Sequence, residues 1–191
     1  VFYRFCQKAA NQPDKEFFFI IDEINRGNMS KIFGELLMLI EKDYRGTKAT
    51  LAYNGLSFSV PKNLYIIGMM NTADRSLAMI DYALRRRFSF FEMEPGFDSE
   101  GFIHYQNGLN NETLNELISK VKDLNHEIAL DKSLGKGFCI GHSYFCGRDI
   151  CTDEWMHSIV DYDILPMLSE YWFDDPNKLL RWENILQGVF Q

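Results

Sequence analysis

The sequence predicts an α/β fold, with a parallel sheet in the first half followed by a helical second half. Three observations carry this. Phe17-Phe18-Phe19-Ile20-Ile21 and Leu64-Tyr65-Ile66-Ile67 are continuous apolar runs of strand length, as expected of parallel strands covered on both faces. Each run leads into a polar cluster, Asp22-Glu23 in one case and Asn71 in the other, and open α/β sheets bind ligands outside the carboxyl ends of their strands. Further on, Leu114, Leu117, Ile118, Val121, Leu124 and Ile128 hold a helical period over about five turns.

Residues 1–11 read as the end of a helix with Phe2, Phe5 and Ala9 on one face. Asn11-Gln12-Pro13-Asp14 is a turn. Strand 16–21 follows, then the polar stretch 22–28. Asn28 is placed to cap a helix running to about Lys42, with Ile32, Phe33, Leu36, Leu37, Leu39 and Ile40 as its apolar positions. Alternating residues around Asn54-Gly55 predict a β-hairpin over 50–60, since that dipeptide suits the positive φ angles of a type I′ turn. Strand 64–69 comes next. Asp74 or Ser76 then caps a helix over 77–84 that Arg85-Arg86-Arg87 closes, and Phe88-Ser89-Phe90-Phe91 begins a third strand. Pro95-Gly96 marks a boundary between a core, residues 1–95, and a helical domain, residues 96–191. Within the latter, 138–145 reads as extended. A helix starts after Thr152. Pro166 kinks it or opens a new one, and Asp175-Pro176 starts a last helix ending near Gly188.

With 191 residues, 46% of them hydrophobic, the chain can build a substantial core. No apolar run approaches the roughly 18 residues of a membrane span, so no membrane association is expected and the expected location is cytoplasmic. The chain opens mid-pattern at Val1 without a start methionine and reads as cut from something longer. A net charge of −7 argues against nonspecific DNA binding by this piece. Cys139, Cys146 and Cys151 with His142 can be drawn as a zinc site, but their spacing lacks the paired C-x-x-C pattern, and an extended 139–145 would put alternate side chains on opposite faces. Free buried thiols in a reducing cytoplasm fit better.

The apolar run ending in Asp22-Glu23 has the form of a Walker B motif. In that reading Asp22 holds a nucleotide-bound magnesium ion and Glu23 polarises the attacking water. The plainer alternative is a core strand stopping at a solvated acidic turn. Asn71, at the end of the second strand, carries an amide able to bond both a water and a phosphate oxygen, or it is simply a turn residue. Arg85-Arg86-Arg87 complement a helix C-terminus. Three arginines in an acidic chain exceed that need, and an arginine fork suits phosphoryl transfer, including across a subunit boundary.

Ile20-Ile21-Asp22-Glu23-Ile24-Asn25-Arg26, Met70-Asn71-Thr72-Ala73-Asp74-Arg75-Ser76 and Asp81-Tyr82-Ala83-Leu84-Arg85-Arg86-Arg87-Phe88, in this order, resemble an AAA+ nucleoside triphosphatase. The finer resemblance is to the McrB family, the GTP-preferring motor subunits of modification-dependent restriction systems. Gly135-Lys136-Gly137-Phe138 and Gly141-His142-Ser143-Tyr144-Phe145 resemble that family's lid, and the likeness extends over essentially the whole chain. The fold implied is part of an AAA+ core with a parallel sheet, followed by an α-helical lid. The resemblance further implies that Asp22 coordinates Mg2+, Glu23 is the general base and Asn71 is the sensor-1 residue. Arg86 and Arg87 become arginine fingers toward the next subunit's nucleotide, with Asp81 placed to anchor one of them. Cys139 stands where a basic sensor-2 side chain is expected, and Lys136 is the nearby nucleotide-binding candidate. The implied activity is hydrolysis of GTP or ATP in a ring, a hexamer, that drives a McrC-like endonuclease along DNA contacted through a domain outside this chain. The alternatives are a MoxR-like remodelling ATPase or a non-catalytic oligomerisation or docking piece.

One departure is that no Gly-x-x-x-x-Gly-Lys-Ser/Thr loop occurs in the 191 residues, so this piece alone is expected to be inactive. In the implied topology the strand entering that loop lies between 64–69 and 88–92. Strand 16–21 should therefore pair in parallel with 64–69, while 64–69 and 88–92 should not pair directly.

Overall fold

The computed structural model of the chain describes residues 1–51, 55–73 and 82–191. Asn54 of the predicted turn, the Asp74 and Ser76 cap and Asp81 lie outside them. The chain divides into two compact units, Val1–Phe91 and Glu92–Gln191.

In the first unit, α1 (Phe2–Ala10) buries Cys6 and Ala9 and packs beside β1 (Phe17–Ile21). β1 pairs in parallel with β4 (Leu64–Gly68), from Phe17 opposite Leu64 to Ile21 opposite Gly68. This is the pairing expected of the two apolar runs. Phe2, Phe5, Phe17 and Phe19 interlock edge-on and tilted across the covered face. The other face is not covered as two-sided burial would require. Phe18 and Ile20 are 53% and 58% exposed, beside exposed Tyr65 and Ile67. Their apolar character is the signal that suggested burial, and among the described residues of this unit none buries them.

Asn28 caps α2 (Met29–Phe33) as expected, its Oδ1 accepting the Lys31 N–H at 2.9 Å. The predicted helix to Lys42 does not continue. Gly34 adopts φ +47, a conformation that glycine tolerates and an α-helix does not. The chain tightens into 3-10 segments at Gly34–Ile40 and Lys42–Tyr44. Phe33, Leu37, Leu39 and Ile40 remain buried, whereas Ile32 is exposed. The hairpin is present as β2 (Ala49–Thr50) and antiparallel β3 (Ser57–Phe58), with Gly55 at φ +68. After α3 (Tyr82–Arg85) the expected third strand does not form, and residues 88–92 carry no ladder. Among the described residues no strand pairs with this segment, so its backbone groups are left to water, and Phe90 and Phe91 are exposed. Among the described residues β4 pairs with β1 alone, in keeping with the expected separation of 64–69 from 88–92.

Two polar side chains tie this unit together. Asn63 Nδ2 donates to the carbonyls of Ala9, Gln12 and Lys15 at 3.0, 3.0 and 2.8 Å, fixing the turn before β4 to the turn before β1. Arg45 donates from Nε to Ile40 O at 2.7 Å and from Nη1 to Leu64 O at 2.6 Å. Burial lowers the pKa of that guanidinium, which stays charged all the same.

The second unit is helical: α4 (Glu100–Leu109), α5 (Glu112–Leu130), α6 (Asp153–Ser158), α7 (Leu165–Tyr171) and α8 (Pro176–Gln187). Ser99, Asn111, Thr152 and Asp175 cap α4, α5, α6 and α8 through their side-chain oxygens. All six periodic residues of α5 are buried, packed with Phe145, Met156, Ile164, Leu168, Trp182 and Leu186. A π-helical turn, Ile159–Ile164, leads into α7 with Pro166 in its first turn. Of the two readings of Pro166, the structure favours the irregularity within one helical run: α6, the π-helical turn and α7 follow one another with helical backbone throughout, and the proline falls where the hydrogen-bonding pattern changes. The segment 138–145 is not a simple extended piece. It is two 3-10 turns, Lys136–Phe138 and His142–Phe145, held by Asn125, whose Nδ2 donates to Ile140 O at 2.8 Å and whose Oδ1 accepts the Ile140 N–H at 2.6 Å. His142 Nδ1 accepts the Gly96 N–H at 3.0 Å. Cys139 and Cys146 donate to the carbonyls of Asn125 and His142. Among the described residues no three His, Cys, Asp or Glu side chains gather as a metal site.

Asp131, at the end of α5, accepts from Ser133 N and Oγ, Trp172 Nε1 and Lys178 Nζ. These donors, Lys178 first, hold its carboxyl well below the usual carboxylate range. A folded pKa below the unfolded value of about 3.9 gives stability that is complete above that value and lost as pH falls toward the folded one. Thermal melts of the chain should therefore weaken progressively below about pH 4, and Asp131→Asn should lower the melting temperature at pH 7 while flattening that acid limb. A variant with an unchanged acid limb would show that the Asp131 cluster does not drive it.

Candidate functional site

The two parallel strands set the site. Past the last ladder pair, Met69 N donates to Ile21 O at 2.8 Å and Ile24 N donates to Met69 O at 2.9 Å. The chain after β1 is thus bound directly to the chain after β4, which brings Asp22 and Glu23 to the same sheet edge as Asn71. Ile24, buried between exposed Glu23 and half-buried Asn25, folds over Gly68. Asn25 Nδ2 reaches Asn71 O at 3.5 Å, a weak contact between the two strand ends.

Asp22 and Glu23 are exposed. Asp22 Oδ1 accepts the Glu23 N–H at 2.9 Å. Glu23 has φ +51, a left-handed conformation that costs a non-glycine residue about 1–3 kcal/mol and gathers at functional sites. Its carboxylate pairs with Arg26 at 3.0 Å, both groups half exposed. Such a surface pair is worth about 1 kcal/mol or less, so it opens readily. Asn71 Oδ1 accepts the Ala73 N–H at 2.9 Å, an Asx turn that orients the amide. Carboxylate oxygens at a solvent-facing strand end are the hard donors that magnesium takes, and Asp22 offers them.

The arginines after α3 have separate surroundings. Arg85 lies over the Phe90 ring, 5.9 Å from its centroid. Arg87 pairs with Glu41 at 2.8 Å and its side chain is 8% exposed. Arg86 is exposed. With Arg87, Met38, Glu41 and Tyr44 it lines a surface hollow of about 430 Å3, whose lining includes none of Asp22, Glu23 and Asn71. In the second unit Lys136 pairs with Glu94 at 2.6 Å on the surface, which raises its pKa. Glu41, Arg26 and Asn25 were not singled out by sequence reasoning. Asn25 and Arg26 follow the acidic pair after Ile24 and stand in the segment that carries the family resemblance, though without an assigned role, whereas Glu41 carries no local signal.

Comparison with known proteins agrees with this architecture. Residues 1–88 match the AAA domain of the dynein-related subfamily, and residues 116–180 match the McrB alpha-helical lid domain. A parallel sheet edge bearing Asp22, Glu23 and Asn71, followed by such a lid, belongs to the AAA class. Within that class the chain belongs to the McrB family. It is 52% identical over 200 residues to the type IV methyl-directed restriction enzyme EcoKMcrB subunit of Escherichia coli (strain K12), covering 98% of this chain and 44% of that protein. It is also 32% identical over 101 residues to the type II restriction enzyme BsuMI component YdiS of Bacillus subtilis (strain 168), covering 46% of this chain and 29% of that protein. The chain thus spans less than half the length of these relatives. No helix among the described residues is long and apolar enough to cross a membrane.

A Cβ added at Gly68 would lie 2.6 Å from Ile24 Cδ1. Gly68→Ala should destabilise the first unit by about 1–3 kcal/mol, as overpacking does. Ile24→Val removes the offending Cδ1 and should recover most of that loss. Denaturant melts of the four proteins of this double-mutant cycle test the contact, and strictly additive effects would exclude it.

Proposed function

We propose that this chain supplies the hydrolytic edge and the lid of a nucleoside triphosphatase motor, acting on GTP or ATP in a ring, a hexamer, and driving a McrC-like endonuclease subunit on DNA. The observation that carries the proposal is the in-register pairing of β1 with β4, which sets Asp22, Glu23 and Asn71 on one edge. Asp22 would hold magnesium, which when bound offsets phosphate charge. Glu23, released from its weak pair with Arg26, accepts the proton of the attacking water. Asn71, its amide fixed by the Asx turn, orients that water. Arg86, exposed and next to a hollow, is the better placed of the two proposed fingers to reach a neighbouring subunit's nucleotide. Lys136 would have to leave Glu94 to serve as a nucleotide contact, an exposed exchange of small cost. The relatives' names supply the restriction setting.

In the full-length protein, Glu23→Gln should leave nucleotide binding nearly intact and lower hydrolysis by about a hundredfold or more. Asn71→Ala should do the same. Equilibrium binding of a labelled nucleotide alongside steady-state turnover checks both, and a variant that chiefly weakens binding would have the wrong role. The 191 residues alone, lacking a phosphate loop in their sequence, should show no GTP or ATP turnover. Turnover that Glu23→Gln abolishes would overturn this.

A further inference from the structure

The three arginines at the end of α3 are chemically alike but structurally unequal, and Glu41 holds one of them. Arg87 is nearly buried, and its guanidinium is held by the Glu41 carboxylate at 2.8 Å. A side chain so held projects no further than the wall of the surface hollow it helps to line. Arg86 projects from the adjacent position into solvent, over a hollow that Glu41 and Arg87 both help to line. The backbone carrying both arginines is a single helical turn, with Arg86 N bonded to Tyr82 O and Arg87 N to Leu84 O. Where Arg87 is fastened therefore sets the direction in which Arg86 leaves the helix.

Glu41 is itself well anchored. It is the junction between the two 3-10 segments, directly after buried Ile40, whose carbonyl accepts from Arg45. Ile40 packs in one apolar cluster with Ile24, Phe33, Leu37 and Leu84. Leu84 belongs to the arginine helix, and Ile24 is the residue after Glu23. The cluster thus joins the segment after the acidic edge and the first 3-10 segment to α3, and the Glu41–Arg87 pair fastens the turn after α3 to the end of that 3-10 segment.

We propose that Glu41 is a positioning residue for the arginine finger. It clamps Arg87 as an internal brace, and the brace aims Arg86 outward at the nucleotide of the neighbouring subunit. This rests on the reading of Arg86 as a finger acting across subunits. It assigns Arg87 a different role from Arg86, although the two are adjacent in sequence.

The test uses the full-length protein assembled into rings, with GTP and ATP as probes. Glu41→Gln should lower turnover about tenfold, with KM changed by less than about twofold, the pattern of an interaction needed in the transition state and not for binding. Mixed with Glu23→Gln, it should recover hydrolysis, because some interfaces then join an intact base to a correctly aimed Arg86. A defect confined to the subunit's own site, or a loss of fold, gives no such recovery. The charge-exchanged pair Glu41→Arg with Arg87→Glu should restore at least half of the lost turnover. If Glu41→Gln does not assemble, Glu41→Asp replaces it, keeping the charge but shortening its reach. About threefold lower turnover with the same recovery in mixed rings is then expected.

Arg86→Ala mixed with Glu23→Gln is the control for the underlying reading. No recovery in that mixture, in rings shown to be mixed, would mean Arg86 is not a finger across subunits. Recovery there, with normal turnover or no recovery for the Glu41 variant, would overturn the role of Glu41 alone.

Discussion

The parallel ladder between β1 and β4 is the constraint on which the rest of the first unit depends. Parallel pairing aligns the carboxyl ends of both strands, and it is the reason why residues nearly fifty positions apart in sequence share one edge. The ladder is extended beyond its last pair by Met69 N to Ile21 O and Ile24 N to Met69 O, so the polar segments leave the sheet already bound to each other. A slip of one residue would turn Ile21 and Ile66 from the packed face to the bare one and separate Glu23 from Asn71. The close fit of Ile24 over Gly68 opposes that slip, since only glycine leaves room for the isoleucine.

Around the ladder, polar side chains act as ties between turns. Asn63 gathers three carbonyls at the opposite end of the sheet. Arg45 closes the 3-10 segment onto the start of β4. In the helical unit, Asn125 pairs with the backbone of Ile140 as a neighbouring strand would, and Asp131 gathers donors from three places in the chain. Each such bond contributes about 1 kcal/mol net, but losing one partner leaves a desolvated group behind at greater cost. These residues are therefore structural, although any of them in isolation has the chemistry of a binding site.

The two units solve burial differently. The helical unit encloses its core, with α5 contributing all its periodic residues. The first unit covers one face of its sheet with α1 and its aromatic side chains and leaves Phe18, Ile20, Tyr65 and Ile67 exposed on the other. Much of the helical unit was accordingly legible: the amphipathic period of α5 and the helix starts at Thr152 and Asp175 are local signals that tertiary contacts did not override, while the Ser99 and Asn111 caps became visible only in the structure.

What the sequence by itself determined is what short-range physics decides. Apolar runs of strand length became strands, helical period became α5, Asn28 became a cap, and Asn54-Gly55 marked the hairpin. The acidic pair, the asparagine and the arginines were visible as residue types suited to phosphate chemistry. What only the tertiary structure decided is which of them meet. It closed α2 early because Gly34 takes a positive φ, left 88–92 unpaired with any strand among the described residues, and exposed a strand face that its composition suggested was buried. It also told Arg86 from Arg87. Both are arginines at the end of one helix turn, yet Arg86 is exposed whereas Arg87 is nearly buried and pairs with Glu41, forty-six residues away. No local pattern encodes that pair, because an ion pair between distant segments depends on how the chain folds back and not on what lies next to it.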